Sequence, residues 1–209
     1  MRKPASVRTL EKLGRVRLSE HFFMREMLYS EIANYYGIPN IPDDPDLAIA
    51  AGTRLCEELL EPLHATFGHV TVRSAFRSVE VNTYGNVHGY SCGETTWNHS
   101  RHVWDRRDAD GCMGATASIV IPWFIARYDA GTPWQALAWW IHDHLPYSDM
   151  MFFAVKGKYC AFNLRWHEKP ARSIRAFSPN NFLLTKPGMP NHEGDHSSEY
   201  PGFPEPRRH

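Results

Sequence analysis

Helical periodicity alternates with short β-branched runs along this chain, and that alternation restricts the fold more than any other feature. From Asp46 to Phe67 the residues Ala51, Leu55, Leu59 and Leu63 recur every fourth position, behind Pro45 and Asp46, which suit a first helical turn. Pro62 is expected to kink this helix, because it offers no N–H to the ladder. In "TPWQALAWWIHDHLP" Thr132 reads as a cap, apolar residues follow at helical spacing, and Pro146 marks the stop. Upstream, "HFFMREMLYSEIANYYG" predicts one or two short helices ending at Gly37. Around these lie "HVTVRSAF", "ASIVIP", "MMFFAV" and "YCAFNLRW", each rich in strand formers. The last two flank Lys156-Gly157-Lys158 and are expected to pair antiparallel across that turn. The class that follows is α+β.

With 209 residues the chain is expected to form one domain, over residues 1–186, with a sizeable core. Its 23 basic residues balance 23 acidic ones, so no global charge points to nucleic acid or to an anionic membrane surface. The opening "MRKPASVRTLEKLGRVRLSE" lacks an apolar signal core and no long apolar run follows, so a cytoplasmic protein without a membrane span is expected. The cysteines Cys56, Cys92, Cys112 and Cys160 are too few to staple a chain of this length and read as small core hydrophobes. Two regions stand apart. Residues 84–113 make a long polar insertion loop rich in Gly, Asn, Asp and His, of a length that carries function. Residues 187–209 offer almost nothing to bury and are expected to be disordered or docked on a partner.

Several segments carry a family likeness when taken in order. These are "LSEHF" with "REM" and Ser30, "LCEELLEPL" (Leu55 to Leu63), "VRSAFRSVEVN" (Val72 to Asn82), "WIHDHLPYSDMMF" and "RWHEKPARSI". Together they resemble the M15-type zinc D-Ala-D-Ala carboxypeptidases of the Hedgehog/DD-peptidase fold, over roughly Leu18 to Pro179. The resemblance implies a small, mainly antiparallel sheet packed against helices. It also implies a zinc held by His, Asp and His, with a Glu as general base for the attacking water.

Residue by residue, the likeness keeps the frame and loses the chemistry. Ser100-Arg101-His102 resembles the start of the first ligand motif and makes His102 the candidate first ligand. In "GATASI" the ligand Asp is replaced by Ser118, and in "AFNLRW" Asn163 takes the place of the last His. The general-base position falls on Phe153, or on Ala154 after a slip of one residue, and neither accepts a proton. Arg77, in "SAFRS", matches the family Arg that holds the substrate carboxylate, a task suited to a planar, permanently charged fork.

The implied function is a cleft lined by Ser74, Arg77, His102, Ser118 and Asn163 that binds a small peptide, an amino-acid-like ligand or a protein partner without metal or hydrolysis. The alternative is an active zinc peptidase on cell-wall peptides. Its ligands would be His102 and groups rewired from the insertion loop, where His99, Cys92, Cys112, Asp108 and Asp110 are the donors available. A structural site of Cys92, Cys112, His99 and His102 is a further reading of the same residues, since a Cys2His2 donor set suits a closed zinc site.

Overall fold

The structure is a computed structural model and describes residues 1–154, 159–178 and 180–207. Its class is α+β, with six strands in one sheet. The helices are α1 (Val7–Gly14), α2 (Met24–Met27), α3 (Glu31–Tyr36), α4 (Pro45–Leu55), α5 (Glu61–Phe67), α6 (Val79–Val87), α7 (Pro122–Asp129) and α8 (Trp134–His144). The strands are β1 (Thr71–Ser74), β2 (Gly114–Val120), β3 (Asp149–Phe152), β4 (Phe162–His167), β5 (Ser173–Ala176) and β6 (Phe182–Thr185). None of the described helices is long and apolar enough to cross a membrane.

The sheet order is β1-β2-β4-β3-β5-β6. As expected from sequence, β3 and β4 pair antiparallel, with Met151 opposite Asn163 and Asp149 opposite Arg165. That last pair is also a cross-strand ion pair at 3.0 Å. The turn Lys156-Gly157-Lys158 assigned between them lies outside the described residues. A mainly antiparallel sheet was expected, but the sheet is mixed: β5 runs parallel to β3, and β6 returns antiparallel to β5. Every residue of β2 is buried, as its continuous apolar run requires.

By its internal contacts the chain divides into two compact units. The first comprises Met1–Glu57 and Ser74–Ala117. Its core holds Leu13, Met24, Met27, Leu55, Phe76 and Trp104, all fully buried. Trp104 lies so close to α4 that a Cβ on Gly52 would meet its ring at 2.9 Å, and its indole N–H is spent on the Thr116 carbonyl at 3.2 Å. Asn40 acts as a buckle in this unit. Its amide N–H groups reach the carbonyls of Leu28 and Phe76, and its oxygen accepts the Ser78 N–H at 2.7 Å.

The second unit comprises Glu58–Arg73 and Ser118–His209. Phe67, Trp123, Trp140 and Phe203 form one aromatic cluster in it, while Trp134, Phe152 and Phe162 form another. The kink expected at Pro62 takes the form of a π-helical turn over Cys56–Leu60, which accommodates a ring that can neither donate to nor clear the preceding turn. Helix α8 is capped by the backbone of Pro133, not by the side chain of Thr132, because the chain enters one residue later than the sequence suggests.

In place of a disordered or partner-docked tail, residues 187–207 pack on their own chain. His192 and His196 are buried, the Trp140 indole N–H donates to the Pro204 carbonyl at 2.9 Å, and the Arg207 N–H reaches the Thr66 hydroxyl at 3.1 Å. A few imidazole and aromatic anchors do this, and average composition does not reveal them.

Candidate functional site

In the first unit the chain turns from β1 through Ala75 and Phe76 into Arg77, and Ser78 then caps α6 by accepting the Val81 N–H. The backbone of Arg77 is pinned from two sides. Its N–H donates to the His102 carbonyl at 2.8 Å, and the preceding Phe76 N–H donates to the Met27 carbonyl. The guanidinium therefore leaves a fixed stem. One Nη donates to the Cys92 sulfur at 3.3 Å and the other to the Ser74 hydroxyl at 3.4 Å. Both partners are neutral, and the contact to the Ser74 hydroxyl is long. Among the described residues no carboxylate lies within ion-pair distance of this group; Glu31 acts on it only from farther away. Arg77 is half-buried, and the partial loss of solvent around the guanidinium lowers its pKa.

His102 sits beside this group through the backbone. Its Nδ1–H donates to the Ala75 carbonyl at 2.8 Å, which leaves Nε2 as the basic nitrogen. Burial, and then the charge of Arg77, push its pKa down to about 3, so the ring is neutral at physiological pH. Asn82 and Asn98 hold the adjoining loop. Asn82 donates to the Gly93 carbonyl at 3.1 Å and accepts from the Asn98 amide at 3.0 Å. A Cβ on Gly85 would meet the Cys92 sulfur at 2.4 Å, so α6 admits only glycine where this loop returns.

The structure thus brings Ser74, Arg77 and His102 together with Cys92, which had been weighed as a metal donor. Of the loop donors, Asp108 and Cys112 place ligand atoms within 4.8 Å of one another, but no third loop donor joins them. No three of Cys92, His99, His102, Asp108, Asp110 and Cys112 place ligand atoms within 4.8 Å of one another. Asp108 instead closes its own turn, accepting the N–H groups of Asp110 and Cys112 at 3.0 and 2.9 Å. All four cysteines are buried. Of the tryptophans, Trp104 and Trp140 are core, while Trp97 is exposed with the Arg101 guanidinium 4.3 Å above its ring.

In the second unit Ser118 is buried on β2 and Asn163 half-buried on β4, and these two strands are neighbours. Phe153 is half-buried, its N–H given to the Ala161 carbonyl, and Ala154 lines a surface cavity with Tyr128, Trp134 and Tyr159. Neither position offers a proton acceptor on its side chain.

Sequence reasoning gave Asn40 and Asn98 no role and Asn82 only a place at the end of the family-like motif; the structure shows their amides bonded to separate chain segments.

The chain matches no family model, no curated protein and no solved structure.

Proposed function

We propose that this chain is a catalytically degenerate relative of the M15-type peptidases, built on a Hedgehog/DD-peptidase-like frame, that binds a small carboxylate-bearing peptide or amino-acid-like ligand without hydrolysing it. The observation that carries this reading is the Arg77 guanidinium, half-buried on a pinned stem, whose side-chain partners among the described residues are a thiol and a hydroxyl. A ligand carboxylate would supply the anionic, bidentate partner that the protein withholds. Ser74 and the neutral His102 flank the same guanidinium and would offer further polar contacts. Ser118 and Asn163 lie on adjacent strands, and they are the neutral residues that the resemblance sets at the family's Asp and His ligand positions, which supports loss of the hydrolytic metal.

The alternative, a zinc hydrolase rewired from the loop, draws support from the His102 tautomer, since a ligand imidazole commonly gives its other N–H to a backbone carbonyl. It lacks two partners for that ring among the loop donors.

Calorimetric titration with the dipeptide D-Ala-D-Ala tests the proposal. Saturable binding weakened on the order of 10- to 100-fold by Arg77→Gln is expected, from the ~1.5–3 kcal/mol of a hydrogen bond to a charged group. Binding unaffected by the substitution, or no binding of any small carboxylate, would overturn it.

A further inference from the structure

We propose that His142, Asp143 and His196 form a binding site for a divalent transition metal of the zinc class, at the C-terminal turn of α8. The ligand atoms of these three side chains all lie within 4.8 Å of one another, and all three belong to the second unit. The site is independent of Arg77 and of the reading given to it.

Both imidazoles are oriented in the manner of metal ligands. His142 places Nε2 2.8 Å from the His192 carbonyl, and His196 places Nε2 3.1 Å from the Asn191 carbonyl. A carbonyl only accepts, so each Nε2 carries hydrogen, and each Nδ1 is the nitrogen left to meet a metal. Donation of the distal N–H to a backbone carbonyl is the usual support of a ligating histidine. The ring stack of His196 on Trp139, at 4.1 Å and 6°, fixes it further.

His196 Nδ1 lies 2.7 Å from Asp143 Oδ1, an ion pair when the ring is protonated. A metal ion ligated by both atoms would take the place of that proton. The other carboxylate oxygen is already held by the Tyr200 hydroxyl at 2.8 Å and the His196 N–H at 3.2 Å, which orients Oδ1 as the ligand atom. His142 contributes its Nδ1 by releasing the hydroxyl of Tyr147, now 2.6 Å away.

A cavity of about 290 Å³ is lined by His142 and Asp143 together with His144, Arg172, His192 and Tyr200, with room for water at an open coordination position. Two imidazoles and one carboxylate suit zinc and its neighbours and not the hard oxygen-seeking cations calcium and magnesium. The carbonyl end of α8 favours positive charge at this place.

The test uses untagged full-length protein stripped with chelator and titrated with Zn²⁺ by calorimetry and with Co²⁺ by visible absorption. About one zinc per chain is expected, lost in Asp143→Asn and His196→Gln and retained in His102→Ala. The cobalt spectrum should show ligand-field bands without thiolate charge transfer. Tyr147→Phe, which frees His142 Nδ1, should bind zinc several-fold more tightly. Should the other variants fail to fold, this one decides, because unchanged or weaker binding overturns the site. Absence of zinc binding in the wild-type chain, retention at unchanged affinity in Asp143→Asn and His196→Gln, or a thiolate band with cobalt would each overturn it as well.

Discussion

His102 gives its Nδ1–H to the Ala75 carbonyl, and that single bond decides its chemistry. Burial holds its pKa near 3, against about 6.5 for a free imidazole. The unfolded chain takes up a proton below about 6.5 and the folded chain does not until about 3. Stability supplied by this group is therefore full above the unfolded value and is lost as pH falls through that window, at about 1.4 kcal/mol per pH unit. Urea unfolding of the wild type and of His102→Gln should show the stability gap narrowing between pH 7 and pH 4; parallel profiles would remove His102 as the acid-sensitive group. Gly85 makes a second residue-scale case. With a Cβ there only 2.4 Å from the Cys92 sulfur, Gly85→Ala must displace the loop that carries Cys92. A cost of about 1–3 kcal/mol is expected from overpacking in a thermal melt, with loss of the Arg77–Cys92 contact.

Among the elements, α8 shows most clearly what the sequence could and could not say. Its length, its stop before Pro146 and its buried aromatic residues were legible from periodicity and one proline. Its cap at the far end was not, because Arg172 lies 27 residues beyond Leu145 in sequence. One Nη of Arg172 donates to the Leu145 carbonyl and the other to the His142 carbonyl, both at 2.7 Å, with the guanidinium 4.3 Å over the Tyr147 ring. Arg172→Met should keep the stem packing while leaving those carbonyls without their donor, lowering stability by about 1–3 kcal/mol; a melt unchanged within error would show the cap to be idle. The strands divide in the same way. The β3–β4 pair followed from two alternating runs in succession, whereas the parallel partner β5 is brief and polar enough that "ARSIRAF" gave no strand signal.

At the scale of the molecule, the class was legible and the division into two units was not, since each unit is assembled from two separated chain segments. The C-terminal segment was misread for a related reason: its composition is that of a linker, yet His192, His196, Phe203 and Pro204 each meet a specific partner. Truncation after Thr185 should lower the melting temperature on the order of 5–10 °C, in line with the loss of one large buried ring and several hydrogen bonds. An unchanged melting temperature would mean that these contacts carry no weight. The candidate site was legible in part. Arg77 and His102 stood out by motif, while the neutrality of Arg77's partners is a property of three-dimensional neighbours.

The central claim is that Arg77 receives a carboxylate and that no hydrolysis follows. Both halves can be read in one NMR sample, by following the Arg77 Nε–H resonance and the alanine methyl signals while D-Ala-D-Ala is added. A saturable shift of the Arg77 resonance with the dipeptide intact after prolonged incubation is the expected result. An Arg77 resonance that does not move, or free alanine accumulating in the wild type and not in His102→Ala, would contradict it.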